Sequence, residues 1–175
     1  MFSNATPYHK PKQDVLFSFL KMERYLIKTP VWLKKLYPGC IWDMPKHSKT
    51  LYLSFDDGPH PAITLFVLEQ LKKFNAEATF FCIGENVKKF PETYQLIIAN
   101  GHSVGNHTQN HLNGWKTSSE AYLKNIIEAE KLIHSKLFRP PYGRIKKNQV
   151  KLLNLHKPEM QIIMWNILCG DWDST

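Results

Sequence analysis

Short apolar runs alternate with longer segments of helical periodicity from Leu51 to Leu168, and this alternation most restricts the folds open to the chain. The run Leu51–Phe55 reads as a buried strand, and 78–83 (ATFFCI) and 161–168 (QIIMWNIL) read the same way. Between them, Ile63, Phe66, Val67, Leu71 and Phe74 recur at helical spacing, and 85–100 is helical with a break at Pro91. Gly101 to Gly105 is a brief strand. Residues 117–137 form the longest helical segment, with Ser118 or Ser119 as N-cap, and 145–156 form another. Alternating strands and helices imply an α/β domain built on a parallel sheet or barrel. A length of 175 residues suits one domain with a real core.

The chemistry-bearing residues gather where these strands end. Leu51–Pro61 reads LYLSFDDGPHP, an apolar strand that stops at Asp56-Asp57-Gly58-Pro59. Two adjacent carboxylates at an apolar strand end must be hydrated, paired or bound to a cation. Strand alternation points them in opposite directions, which gives them different roles. An ordinary capped turn also accounts for Asp and Gly here. His107 and His111 follow the third strand, Arg139 a later one, and Asp171 the last. In barrel folds that edge carries the active site. His107 and His111 are four residues apart, so one helical turn would present both imidazoles to one metal ion. With 8 histidines in 175 residues such a pair also arises by chance, and a solvated loop is the alternative.

Composition narrows the functional classes. The formal net charge of +8 permits an acidic polymer, a membrane surface or nucleic acid as partner. The lysines are scattered in pairs such as Lys72-Lys73 and Lys88-Lys89, without a basic block interleaved with aromatics, so nucleic-acid binding is not expected. Cys40, Cys82 and Cys169 are widely spaced and odd in number, which argues against a disulfide framework; Cys82 and Cys169 read as small buried side chains. No transmembrane segment or signal-peptide core is visible, so a cytoplasmic location is expected; the oligomeric state is left open. Trp115 reads equally as a sugar-stacking surface or as core.

Taken together, these motifs resemble the polysaccharide deacetylase family, the NodB-type domain of carbohydrate esterase family four. Ser54-Phe55-Asp56-Asp57-Gly58-Pro59 matches the family's TFDDGP with Ser for Thr, and His107-Thr108-Gln109-Asn110-His111 matches HTxxH. Arg139-Pro140-Pro141-Tyr142-Gly143 matches RPPYG completely, and Gly170-Asp171-Trp172 is similar to a fourth motif. The resemblance covers about 49–175 and implies a distorted (β/α) barrel, preceded by an N-terminal tail and short flanking helices over 1–48.

The resemblance also implies a metal-dependent hydrolase that removes acetyl groups from N-acetylated sugars of a polysaccharide or oligosaccharide. Asp57, His107 and His111 would bind a divalent metal, most often zinc. Asp56 would be the general base, Arg139 would orient it, and Asp171 would pair with Arg139. The backbone N–H of Tyr142 would help hold the oxyanion, and Trp172 would line the acetyl pocket. The family's fifth motif places a general-acid His on a later strand, and no His follows Asp171 here. The expectation is therefore a deacetylase domain incomplete at its C-terminus and weak or inactive. The alternative is an impaired remnant that binds metal or glycan.

Overall fold

The structure, a computed structural model, describes residues 27–45 and 49–170. These fall into a main unit, Thr29–Asn166, and a small second one in which Lys28 and Ile167 form an isolated antiparallel bridge. In the main unit the chain runs α1 (Val31–Leu36), β1 (Cys40–Ile41), β2 (Ser54–Gly58), α2 (Ile63–Lys73), β3 (Thr79–Cys82), α3 (Gly84–Lys89), α4 (Pro91–Ala99) and β4 (Ser103–Asn106). It continues with a 3-10 turn (Gly114–Lys116), α5 (Ser119–Glu130), β5 (Leu137–Phe138), a second 3-10 turn (Pro141–Gly143), α6 (Lys147–His156) and β6 (Gln161–Ile163).

The strands form one six-stranded sheet in the order β1-β6-β5-β4-β3-β2, and every neighbouring pair is parallel. Parallel strands need crossovers, and the helices between them supply these and cover the sheet. One apolar cluster packs Leu68, Leu71, Phe80, Cys82, Ile97 and Ile133 around β3. A second packs Tyr122, Ile126, Phe138, Leu153 and Ile162 around β5 and β6. Ser118 caps α5 by accepting from the backbone N–H of Ala121, as its position before an apolar-periodic segment predicts. Pro91 opens α4 rather than merely interrupting a helix, because its fixed φ suits the first helical turn.

Five local readings change. The run from Leu51 is not a buried strand: β2 begins at Ser54, and Leu51 and Leu53 are 84% and 42% exposed. Among the described residues β2 pairs only with β3, so it is an edge strand and its apolar residues lack a second neighbour. The apolar run 161–168 yields a strand of three residues, and Cys169 is exposed rather than buried. Cys40–Ile41, which carries little strand pattern of its own, joins the sheet beside β6. The segment 107–111 is a loop rather than a helical turn.

The sheet curls strongly. The Arg139 side chain, just past β5, reaches Ser54 and Asp56 on β2, although β3 and β4 lie between those strands. Flat strands at about 4.8 Å spacing would set β2 and β5 about 14 Å apart, beyond an arginine's reach. The sheet is therefore rolled about its C-terminal edge, as the barrel-type α/β class requires.

Candidate active site

Asp56 and Asp57 reach the same site because β2 is irregular there. The register pairs Phe55 with Phe80 and Gly58 with Cys82, so two residues of β2 stand opposite one of β3. This is a β-bulge, which breaks side-chain alternation and re-aims a residue. Asp57 has a left-handed backbone at φ 67°. The expected divergence of the two carboxylates does not occur. Both face the sheet's C-terminal edge, Asp56 toward Arg139 and Asp57 toward His107 and His111.

The histidines are delivered by a loop. His107 continues β4, its backbone N–H donating to the Cys82 carbonyl, and its side chain is 2% exposed. The chain then turns sharply, with Thr108 at φ 65° and His111 at φ 57°. For a β-branched residue such as Thr108 that conformation is costly and needs support. Support comes from Asn106, fully buried, which accepts from Thr108 N–H and donates to the Ile126 carbonyl. Asn125 on α5 accepts from the N–H groups of Gln109 and Asn110, and Gly84 and Glu85 donate to the Thr108 and Gln109 carbonyls. Of the five positive-φ residues other than glycine among those described, Asp57, Thr108, His111 and Tyr142 lie at this site, where strain is held by the surrounding bonds.

Asp57 Oδ1 lies 3.4 Å from His107 Nε2 and 3.0 Å from His111 Nε2. One ligand atom from each of the three residues falls within 4.8 Å of the others. His107 Nδ1 sits 2.7 Å from the Arg139 carbonyl, which can only accept, so Nδ1 carries a hydrogen and Nε2 is the nitrogen turned to Asp57. A carbonyl holding the distal nitrogen is the usual outer support of a metal-binding imidazole. Two imidazoles and a carboxylate converging on one point, with solvent on the Asp57 side, fit a divalent cation with open positions. Bonds from His107 and His111 hold the Asp57 carboxyl well below the usual carboxylate range, outweighing the opposing effect of burial.

Arg139 is the buried hub, 4% exposed. Its Nη1 donates to Asp56 Oδ1 and to Ser54 Oγ, both at 2.8 Å. Nε donates to the Ile163 carbonyl and Nη2 to that of Met164, so every guanidinium nitrogen has an acceptor. Its plane lies over Phe81, 4.0 Å from the ring centroid, with Trp165 on a further side at 5.8 Å. Burial lowers the Arg139 pKa, and the adjacent Asp56 carboxylate opposes that shift.

Tyr142 follows in a left-handed turn at φ 59°, its ring 4.5 Å from that of His111. Gly143 also has positive φ, and a Cβ there would stand 2.6 Å from Trp165, so the turn requires glycine twice over.

The structure thus brings together Asp56, Asp57, His107, His111, Arg139 and Tyr142. Asp171 and Trp172 lie outside the described residues. Sequence reasoning missed Asn106, Asn125 and Asn86, whose amide donates to the Asp57 carbonyl, and gave Ser54 no role. Asn106 adjoins His107, which was the one signal present; Asn125 and Asn86 carried none. His60 is exposed, and its Nδ1 accepts from the N–H groups of Ala62 and Ile63 at the start of α2.

Comparisons with known proteins agree on one family. The polysaccharide deacetylase profile matches residues 43–160. A peptidoglycan-N-acetylglucosamine deacetylase of Bacillus cereus is 37% identical over 177 residues, covering 98% of this chain and 63% of the relative. A chitooligosaccharide deacetylase of Azorhizobium caulinodans is 32% identical over 136 residues, 74% of this chain and 64% of the relative. The crystal structure of the Bc1960 peptidoglycan N-acetylglucosamine deacetylase matches with a TM-score of 0.70 at 35% identity, over 78% of this chain and 65% of that one. The chain therefore spans somewhat less than two thirds of the length of these relatives.

Proposed function

Because the chain belongs to the polysaccharide deacetylase family, we propose that it hydrolyses the acetamide of N-acetylated sugar units in a glycan of the peptidoglycan or chitooligosaccharide class. One observation carries this reading: the bulge in β2 hands one carboxylate to a pair of histidines and its neighbour to a buried arginine.

Asp57, His107 and His111 would hold the cation, which in this reading is zinc. A divalent cation bound there supplies Lewis-acid polarisation of the acetyl carbonyl and acidifies water. Asp56 accepts the proton of the attacking water. Its Oδ1 is held by Arg139 at 2.8 Å, which leaves Oδ2 to receive that proton. Arg139 is itself fixed on two sides. Ser54 holds Nη1, and the Ile163 and Met164 carbonyls hold the other nitrogens, so the base keeps its orientation while it works. The backbone N–H of Tyr142, whose ring packs on His111, is assigned to donate to the developing oxyanion. Asp171 is assigned to Arg139, and Trp172 to the acetyl pocket.

The test is acetate release from N-acetylglucosamine oligomers by the zinc-loaded chain, with Asp57→Ala and a chelator as controls. Release that both controls abolish is the expected result. Zinc titration that shows no site, or a site unaffected by Asp57→Ala and His111→Ala, would sink the reading.

A further inference from the structure

Beyond the hydrolytic residues, a run of exposed side chains leads away from the cation ligands. His111 touches the ring of Tyr142, which is 59% exposed. The Arg144 guanidinium lies 6.0 Å from the Tyr142 ring centroid and 5.2 Å from that of Trp115. Trp115 itself is 56% exposed. An exposed tryptophan is ordinary if it dangles, but this one is built in.

Its backbone N–H donates to the Asn113 side chain, and its indole N–H to the Ile145 carbonyl. Gln149, 3% exposed, donates to the Gly114 carbonyl, and Lys146 Nζ donates to that of Thr117. Gly114 packs so tightly that a Cβ there would stand 2.3 Å from the Arg144 carbonyl oxygen. The Trp115 turn and the segment 144–149 are therefore clamped together, and the indole is held out to solvent. Arg144 has no ion pair among the described residues, and its exposed guanidinium lies beside two aromatic rings.

We propose that Trp115, Arg144 and Tyr142 form a glycan subsite next to the cation ligands, and that it takes a sugar bearing a carboxylate beside the sugar that loses its acetyl group. The C–H face of a pyranose packs on the electron-rich face of an indole. A guanidinium pre-positioned by aromatic rings offers a planar fork of donors that matches a carboxylate. The site thus prefers an acidic N-acetylated glycan to a neutral one of equal length. This inference rests on the deacetylase reading for the position of the scissile acetamide.

Calorimetric titration of the full zinc-loaded chain tests it with two probes, the N-acetylglucosamine tetramer and a tetramer in which alternate sugars carry a carboxylate. The wild-type chain should bind the acidic probe more tightly, with an affinity that falls as salt rises. Arg144→Gln should erase that difference and its salt dependence. Trp115→Ala should weaken both probes by about tenfold, and Trp115→Tyr should recover most of the loss. Zinc stoichiometry of each variant reports whether the fold is intact. Unchanged affinities in Arg144→Gln and Trp115→Tyr alongside Trp115→Ala would overturn the subsite and leave the deacetylase reading standing. A wild-type chain that binds zinc but neither probe would overturn both.

Discussion

The two walls of the site are held in opposite ways. One wall, from β4 and the start of the turn after β5, is buried: Asn106, His107, Thr108 and Arg139 are all 4% exposed or less. The other is open: the Asp57 side chain is 63% exposed and Tyr142 is 59% exposed. The buried wall is bonded to the sheet, to its C-terminal edge and to α5, through the Cys82, Ile163, Met164 and Ile126 carbonyls. The open wall is held by the bulge in an edge strand and by the Asn86 amide on the Asp57 carbonyl. Function and stability are therefore coupled more tightly on one side of the site than on the other. A change in the buried wall should damage both, and a change in the open wall should fall mainly on chemistry.

Arg139 is where that coupling should be strongest. Arg139→Met removes the partner of Asp56 and leaves the Ile163 and Met164 carbonyls without donors. Urea unfolding should show a loss of about 3–5 kcal/mol, the usual consequence of breaking a buried charge pair, with acetate release abolished. A variant as stable as the parent chain would erase the contrast between the walls. Asp56→Asn tests the open wall. Turnover should fall by about 10²–10⁴, the range for a lost general base, while zinc stoichiometry stays unchanged and the urea midpoint falls less than in Arg139→Met, because an amide oxygen can still accept from Arg139 Nη1 although the counter-charge is gone. A midpoint as low as that of Arg139→Met would show that this wall supports the fold as strongly as the buried one.

Ser54→Ala lies between these extremes. It removes one acceptor from Arg139 Nη1, and a loss of about 1 kcal/mol in urea unfolding is expected. Turnover should fall less than in Asp56→Asn, because Asp56 still holds the same nitrogen. The smallest effect concerns acid. The Asp57 carboxyl is lowered by its histidine bonds, so its stabilising contribution is present above the unfolded value of about 3.9. That contribution is lost as pH falls from there through the folded value. The thermal midpoint of the metal-free chain should therefore exceed that of Asp57→Asn near neutrality, and the gap should close below about pH 4. A gap that widens in acid would reverse the assigned sign.

The site was more legible in the sequence than its scaffold was. Asp56, Asp57, His107, His111, Arg139 and Tyr142 were all named from motifs, and the structure places them together. The supporting residues were not, because Asn86 and Asn125 act through backbone carbonyls and N–H groups that any sequence contains. Periodicity found the major helices. It misjudged Leu51 and Leu53, because an apolar strand pattern does not say whether a second strand lies alongside. It also missed β1, since two residues are too few to carry an alternation.

The class of fold was written in the alternation of apolar runs with helical ones, and the chemistry in four short motifs at strand ends. Direction was not written there, and it came from tertiary contacts. Alternation sends Asp56 and Asp57 to opposite faces, and the register shift against β3 returns both to one. Helical spacing would set His107 and His111 on one turn, and instead a left-handed loop tied to Asn106 and Asn125 converges them. A bulge and a strained loop exist only when a neighbouring strand or helix supplies the bonds that hold them, and those neighbours are far away in the chain.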